Sequence, residues 1–164
     1  MIALRDFVPQ DAAFIVNTLN DEQVIRFLSP KIPFPYTQSD AQWWITHGAQ
    51  KGIVKAITVK NQLAGCIGVM PGEFEYCRSG EIGYWLNKNF WGQGIMTKAM
   101  TLIVKNVFSH SEITRIHGAV FSGNTGSMNV LIKSGFNAEA ILKNAIYKNS
   151  QFYDSHIFSL LKEE

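Results

Sequence analysis

The sequence predicts an α/β (α+β) fold: one domain over residues 1–164, built on a mixed sheet of about seven strands with helices on both faces. Short apolar runs typical of strands are interleaved with segments whose apolar residues recur every three to four positions. No repeat, low-complexity run or linker divides the chain. A chain of 164 residues, 46% of them hydrophobic, can bury about 70% of its unfolded surface, which is enough for a core.

The N-terminal part predicts one strand followed by two helices. Residues 2–8 have the pattern of a strand. Asp11 is expected to cap the first helix, because apolar residues recur at positions 12, 15, 16 and 19. A proline-rich loop over residues 29–36 comes next, and Ser39 and Gln42 are expected to form the capping box of the second helix.

The rest of the chain predicts six strands and two helices. Asn61 and Gln62 join the first two of these strands, most simply as a hairpin. One helix carries an apolar stripe at positions 95, 99, 103 and 107, and a shorter helix ends at Gly135. The predicted strands cover residues 53–60, 63–70, 81–86, 115–121, 138–147 and 152–161.

Charge and cysteine content argue against several classes of protein. A net charge of +2, with scattered Lys and Arg, does not indicate a nucleic-acid partner. Cys66 and Cys77 are expected to be free thiols, and no C-x-x-C or H-E-x-x-H pattern indicates a metal site. The N-terminus lacks the pattern of a signal peptide, and no run reaches the ~18 apolar residues of a membrane span. We therefore expect a cytoplasmic protein with no membrane partner.

A glycine-rich turn between a strand and a helix is the most informative motif. The strand over residues 81–86 leads into Trp91-Gly92-Gln93-Gly94, and an amphipathic helix starts directly afterwards. Such a turn lets the backbone approach a ligand, and the free N–H groups of the helix start favour an anion. The pattern is neither a P-loop nor a dinucleotide fingerprint, because Thr97 stands where the third glycine belongs. Taken alone, the motif also fits a tight connection that binds nothing.

Three pieces of sequence, taken in order and spacing, carry a resemblance to a known family. They are Glu81-Ile82-Gly83-Tyr84-Trp85-Leu86, then Trp91-Gly92-Gln93-Gly94-Ile95-Met96, then Asn124-x-x-Ser127 with Lys133-Ser134-Gly135-Phe136 and Glu139. Over about residues 75–140 the chain resembles the GNAT superfamily of acyl-CoA-dependent N-acetyltransferases. It looks closest to the Rim-type branch, whose known members acetylate N-termini of ribosomal proteins. Two positions depart from the common loop, which often has Gln or Arg at Trp91 and Gly or Ala at Met96.

The resemblance implies a single GNAT-like domain whose mixed sheet is mostly antiparallel. It also implies acetyl-CoA as the co-substrate, without a metal. The pyrophosphate is expected at the main-chain amides of the loop, and the pantetheine arm beside a strand that splays from its neighbour in this family. For Lys133, a solvated helix lysine is the alternative to a contact with a CoA phosphate. The cofactor-binding residues implied in this way are Tyr84, Trp85, Leu86, Gln93, Gly94, Ile95, Met96, Thr97, Asn124 and Lys133.

The resemblance also implies two catalytic residues. Glu81 is the candidate general base, acting directly or through water, and its alternative is a strand-end carboxylate that faces solvent or an Arg. Ser127 is the candidate proton donor or stabiliser of the leaving thiolate. Many superfamily members have a tyrosine seven residues after the Asn, where this chain has Leu131. The alternative is that Asn124 and Ser127 are ordinary helix-start residues.

Aromatic side chains predict where the acceptor binds. Phe34, Tyr36 and Trp43 lie where the family's substrate groove is bordered, although they could instead pack in the core. Tyr153, in the last predicted strand, could reach the same side. The four histidines have no partners at catalytic spacing and are expected to be structural or exposed.

The expected function is transfer of an acetyl group to a primary amine by direct transfer in a ternary complex. The expected acceptor is a protein or peptide N-terminal α-amine. One alternative is a small-molecule amine, such as a polyamine, an antibiotic or an amino-acid derivative, and another is a non-catalytic acyl-CoA-binding sensor. The expected partners are therefore an acyl-CoA and this acceptor, and the sequence leaves open whether the protein is a monomer or a homodimer.

Overall fold

A seven-stranded open sheet forms the centre of the protein in a computed structural model that describes residues 1–163. Its strands are β1 (Ile2–Arg5), β2 (Ile53–Val59), β3 (Gln62–Pro71), β4 (Ser79–Leu86), β5 (Arg115–Phe121), β6 (Asn137–Lys148) and β7 (Gln151–Leu161). The order across the sheet is β1-β2-β3-β4-β5-β7-β6. All neighbours are antiparallel except β4 and β5, which run parallel. This confirms the predicted mixed, mostly antiparallel α/β sheet.

Helices cover both faces of the sheet, as predicted. On one face, α1 (Ala12–Leu19), α2 (Glu22–Ile25) and α3 (Gln38–Thr46) enclose a core that contains Ile15 and Ile45. On the other face, α4 (Ile95–His110) and α5 (Thr125–Lys133) enclose a second core that contains Met100, Ile103 and Leu131. The two faces are called the α1–α3 face and the α4–α5 face below.

Two helix starts differ from the prediction. The short α2 was not predicted, because four residues cannot show a helical repeat; Asp21 caps it by accepting a hydrogen bond from the amide of Gln23 at 3.0 Å. The capping box of α3 uses Thr37 and Asp40 instead of Ser39 and Gln42. Thr37 Oγ1 accepts from the amide of Asp40 at 3.1 Å, and Asp40 accepts from the amide of Thr37 at 2.8 Å.

Asp11 precedes α1 but does not cap it with its side chain. Its carboxylate instead accepts two hydrogen bonds from the guanidinium of Arg5, at 2.7 and 2.8 Å, and one from the amide of Val8 at 2.9 Å. The predicted cap is therefore wrong. The buried carboxylate joins the end of β1 to the start of α1.

The parallel strands β4 and β5 separate after a short contact. They pair only over Ser79–Glu81 and Arg115–His117. Beyond this point β4 continues to pair with β3 as far as Leu86, while β5 continues to pair with β7 as far as Phe121. A gap therefore opens between the two strands in the middle of the sheet, on the side of the loop that leads into α4.

Alternation along β4 sends successive side chains to opposite faces of the sheet. Trp85 packs in the core of the α1–α3 face, whereas Ile82, Tyr84 and Leu86 pack on the α4–α5 face. Glu81 shares the parity of Trp85, and its side chain therefore points to the α1–α3 face. The gap between β4 and β5 is thus bordered by different chemical groups on its two sides.

The two cysteines and the hydropathy of the helices can be compared with the sequence analysis. Cys66 is buried and Cys77 is exposed, and both are free thiols, as predicted. Burial raises the pKa of the Cys66 thiol to about 12. No helix within residues 1–163 has the length and the apolar character needed to cross a membrane.

Candidate active site

The glycine-rich loop holds its backbone open toward the surface. Gly92 and Gly94 both have φ of +70°, a left-handed conformation that favours glycine, and a Cβ added at either position would meet no heavy atom within 4 Å. The indole N–H of Trp91 donates to the carbonyl of Leu86 at 2.8 Å, and the side-chain NH₂ group of Gln93 donates to the carbonyl of Asn89 at 3.0 Å. These two hydrogen bonds tie the loop to the end of β4 and to the preceding turn, while its glycines face free space.

The first turn of α4 presents its amides to the same space. Gly94 is the N-cap and offers no side chain to these amides, so the N–H groups of Ile95, Met96 and Thr97 lack a partner within the helix. Ile95 and Met96 are buried and pack in the core of the α4–α5 face, so a ligand at this helix start would meet main-chain groups. Unpaired amides at a helix start, in a loop of glycines, form a site suited to a phosphate group.

The gap between β4 and β5 leads away from this loop. Trp85 and Leu86 are each 8% exposed, and their side chains pack in the two cores, so a ligand in the gap would meet main-chain groups of these residues. A Cβ added at Gly83 would meet no heavy atom within 4 Å. An extended ligand arm could therefore lie beside the main chain of β4, where β5 no longer pairs with it.

A pair of hydroxyl groups lies on the α4–α5 face of the gap. The hydroxyl of Tyr84 on β4 is 2.6 Å from Oγ of Ser127, in the first turn of α5. The Tyr84 hydroxyl is also 3.4 Å from the carbonyl oxygen of Ser127. Burial raises the pKa of Tyr84 to about 12, although the hydrogen bond with Ser127 opposes this shift, so the phenol is neutral near pH 7.

Glu81 lies on the opposite side of the gap, in a surface cavity of about 620 Å³. It is the last residue of β4 that pairs with β5, and its partner across the strands is His117. Paired residues in a sheet share a face, so the carboxylate and the imidazole open into one cavity. The loop before β4 completes the wall with Glu73, Phe74, Glu75 and Tyr76.

Arg115 also lines this cavity but is bound elsewhere. Its guanidinium donates two hydrogen bonds, at 2.6 and 2.7 Å, to the carboxylate of Glu139 on β6. Hydrogen bonds from Arg115 and Ser159 lower the pKa of Glu139 to about 2. Glu81 has no ion pair within residues 1–163, so a structural pairing with an Arg does not explain it.

Known proteins share the sequence pattern and the fold of this chain. The family described as Acetyltransferase (GNAT) domain matches residues 2–137. The chain belongs to this family. It is an N-acetyltransferase, and the resemblance inferred from its motifs is confirmed.

Similar proteins match almost the whole length of this chain. The uncharacterized N-acetyltransferase YoaA of Bacillus subtilis is 27% identical over 98% of this chain and 93% of its own length. RimL, a ribosomal L7/L12 alpha-N-protein acetyltransferase solved with coenzyme A, has a TM-score of 0.86 at 21% identity, over 98% of this chain and 94% of RimL. The microcin C7 self-immunity acetyltransferase MccE, solved with acetyl-CoA and AMP, has a TM-score of 0.83 at 24% identity, over 98% and 92%. The two solved structures confirm the fold.

Two further residues with a predicted GNAT role lie near the start and the end of α5. Asn124 caps this helix, because its Oδ1 accepts from the amide of Ser127 at 3.3 Å. The helix-start alternative therefore holds for this oxygen, while the side-chain NH₂ of Asn124 has no hydrogen bond within residues 1–163. Lys133 is exposed in the last turn.

The residues predicted to bind the acceptor are not equally available. Phe34 and Trp43 are exposed, at 54% and 53%. Tyr36 is 7% exposed within the core of the α1–α3 face, which removes it from the predicted acceptor contacts. Tyr153 is half-buried in an aromatic cluster with Phe27 and Phe121, at ring-centroid distances of 6.4 and 5.3 Å.

Several residues at the site were missed by the sequence analysis. His117 was expected to be structural or exposed, yet the strand pairing places it beside Glu81. Phe74 and Tyr76, at 85% and 66% exposure, line the same cavity. Two exposed aromatics directly before the strand that carries a candidate base were the available signal. The partnership of Tyr84 with Ser127 had none, because 43 residues separate them in the sequence.

Proposed function

We propose that this N-acetyltransferase transfers the acetyl group of acetyl-CoA directly to the α-amine of a protein or peptide N-terminus. One observation carries the proposal. The gap between β4 and β5 opens at a loop suited to phosphate, with the carboxylate of Glu81 on one face and the hydroxyls of Tyr84 and Ser127 on the other. A site of this kind can accept a proton on one side of a reacting thioester and stabilise a leaving sulfur on the other.

The residues around the loop and gap fit acetyl-CoA. The amides of residues 93–97 would hold the pyrophosphate, and the main chain of Tyr84, Trp85 and Leu86 would pair with the pantetheine arm. The free NH₂ group of Asn124 and the exposed ammonium of Lys133 are available to the rest of the cofactor. Acetyl-CoA supplies the activated acetyl group, and this chain supplies orientation, charge stabilisation and proton transfer.

Glu81 would accept the proton that the amine loses, directly or through water. A free α-amine has a pKa of ~7.7–8.0, against ~10.4 for a lysine side chain, so an N-terminus is already partly neutral near pH 7. A carboxylate open to a solvent-filled cavity suffices for such an acceptor. A lysine acceptor would require a stronger base.

Ser127 would donate a hydrogen bond to the departing sulfur. The C–N bond forms as the C–S bond breaks, and the electron pair of that bond goes to sulfur. A hydroxyl donor aimed at this atom stabilises charge that develops only in the transition state. Position 131 of α5 is a leucine that is fully buried in the core, so this helix supplies no tyrosine hydroxyl there.

The acceptor cavity supports a protein or peptide N-terminus and also keeps one alternative open. The cavity is open to the surface, and Phe74 and Tyr76 offer apolar contacts for the first residues of a peptide. RimL, of the same fold, is named for an N-terminal protein acceptor. Three carboxylates, Glu73, Glu75 and Glu81, line the cavity and would also suit a small cationic amine.

A thiol-release assay with acetyl-CoA and matched acceptors tests this proposal. The acceptors are a panel of peptides with free N-termini, the same peptides blocked at the N-terminus but carrying a lysine, and a polyamine. We expect release of CoA thiol with free N-termini and at least tenfold slower release with the blocked lysine peptides. Turnover confined to the polyamine would favour the small-molecule alternative. Tight CoA binding without thiol release for any amine would favour the sensor.

A further inference from the structure

The hydroxyl pair of Tyr84 and Ser127 allows two hydrogen-bond arrangements. In the first, Tyr84 donates to Ser127 Oγ across 2.6 Å, and the hydrogen of Ser127 is free for another acceptor. In the second, Ser127 donates to Tyr84, and Tyr84 must then donate to the carbonyl of Ser127 across 3.4 Å. The second arrangement is the weaker one, because 3.4 Å lies beyond the usual range of an O–H···O bond.

A helical serine without a side-chain partner usually donates its hydroxyl hydrogen to a backbone carbonyl of its own helix. Ser and Thr hydroxyls commonly donate to the carbonyl three or four residues earlier in their own helix. Ser134, at the end of α5, does this and donates to the carbonyl of Val130 at 2.7 Å. Ser127 lies on the same helix but forms its short contact with Tyr84 instead. Because Ser127 lies in the first turn of α5, no residue of that helix stands three or four positions before it, and only the carbonyls of Gly123 and the N-cap Asn124 could compete for its hydrogen. Within residues 1–163, the contact with Tyr84 is the one hydrogen bond that the Ser127 hydroxyl forms.

We propose that Tyr84 is a positioning residue for the leaving-group step: it donates to Ser127 Oγ and so directs the Ser127 hydrogen toward the sulfur of the departing CoA. This inference rests on the proposed acetyl transfer. The bond changes are those of that reaction, with C–N formed, C–S broken and the electron pair left on sulfur. Tyr84 keeps its proton throughout, and the thiolate takes its proton from solvent.

The surroundings of Tyr84 support a permanent donor. Its raised pKa, caused by burial, keeps the phenol neutral through the range of an enzyme assay. The ring packs against the core of the α4–α5 face, which fixes the position of the hydroxyl. Strand β4 therefore supplies a tyrosine hydroxyl next to a helix that has Leu131 at the position expected for one.

Removal of the phenol hydroxyl tests the proposal, because Tyr84→Phe keeps the packed ring. We expect kcat to fall about tenfold, or about 1.4 kcal/mol, with the KM for acetyl-CoA changed less than twofold. Ser127→Ala should lower kcat at least as much. Because Tyr84 acts through Ser127, the double variant should be no slower than Ser127→Ala alone. Ser134→Ala, which removes a hydroxyl from the other end of α5, should leave kcat unchanged.

A second variant keeps the test informative if Tyr84→Phe folds poorly, as judged by thermal unfolding and CoA binding. A difluorinated tyrosine at position 84 keeps the shape and donates more strongly while it is neutral. We expect kcat to be retained near pH 7. As the pH is raised, kcat should begin to fall at a lower pH than in the wild type, because the more acidic phenol ionises earlier and then cannot donate to Ser127.

The outcomes separate this inference from the proposed function. Wild-type thiol release combined with an unchanged kcat in Tyr84→Phe would overturn the role of Tyr84 alone. Losses that multiply in the double variant, or an unchanged pH profile in the fluorinated variant, would overturn it as well. Absence of thiol release by the wild type with every amine would instead overturn the proposed acetyl transfer, and the role of Tyr84 with it.

Discussion

At the scale of single residues, Glu81 has the most demanding proposed role, because it would accept the proton that the amine loses. Its carboxylate lies where the two parallel strands part, in a cavity that it shares with His117. Arg115 in the cavity wall is held by Glu139, so it is not positioned to neutralise Glu81. These surroundings support the proposed proton transfer, and Glu81 forms no ion pair within the part of the chain that the structure describes.

Substitution of Glu81 should separate catalysis from cofactor binding. Glu81→Gln keeps the size of the side chain and removes its proton affinity, so we expect kcat to fall about 100-fold. The Kd for CoA should stay within twofold, because the loop amides are on another part of the site. Glu112→Gln, an exposed carboxylate 3.8 Å from Arg78, is the matched control and should leave kcat unchanged. Turnover of Glu81→Gln equal to wild type across a range of acceptors would contradict the assignment.

Residue types in sequence order could predict part of the site. Glu81, the glycines of the loop and Ser127 lie in a spacing that resembles the family, so the sequence alone suggests them as candidates. The partnerships were not predictable. Glu81 meets His117 only through the register of β4 and β5, and Tyr84 meets Ser127 only because α5 packs over β4. Tyr36, predicted at the acceptor, is buried because its segment folds back onto Asn20.

At the scale of elements, the loop between β4 and α4 depends on backbone conformation. Gly94 is both the N-cap of α4 and a residue with φ of +70°, and the space where its Cβ would stand is empty. An alanine there would be strained by about 1 kcal/mol and would place a methyl group where a phosphate should approach.

Gly94→Ala is therefore expected to weaken CoA binding more than it weakens the fold. We expect the Kd for CoA, measured by calorimetry, to rise about tenfold, which corresponds to about 1.4 kcal/mol. Gly135→Ala is the control, because Gly135 also has a positive φ, +88°, but lies after α5. It should lower the thermal midpoint to a similar extent without changing the Kd. Equal CoA affinity in both variants would argue against the loop as the phosphate site.

Element types were more predictable than their ends. The seven strands follow apolar runs, and the predicted bounds of β5 agree with the structure because Gly123 and the turn after Phe121 stop it. Helix starts were less predictable where two capping patterns overlap, as Thr37 with Asp40 and Ser39 with Gln42 do. The separation of β4 from β5 follows from tertiary packing and could be expected only from the family resemblance.

At the scale of the whole molecule, the candidate site residues are distributed over the two faces of one sheet. The α4–α5 face brings the glycine loop and the Tyr84–Ser127 pair together, and the α1–α3 face carries Glu81 and the cavity proposed for the acceptor. Distant segments are tied across this arrangement. The ammonium of Lys148, at the end of β6, donates to the carbonyls of Ile25 and Leu28 at 2.6 and 2.7 Å, which joins the last hairpin to the end of α2.

A crystal structure of the complex with acetyl-CoA tests the central claim most directly, because it locates the co-substrate within the whole molecule. We expect the pyrophosphate at the amides of residues 93–97, the pantetheine arm in the gap between β4 and β5, and the sulfur within hydrogen-bond reach of Ser127. The acetyl carbon should face the cavity of Glu81. Acetyl-CoA bound with its pyrophosphate away from these amides, or with its arm outside the gap, would contradict the account.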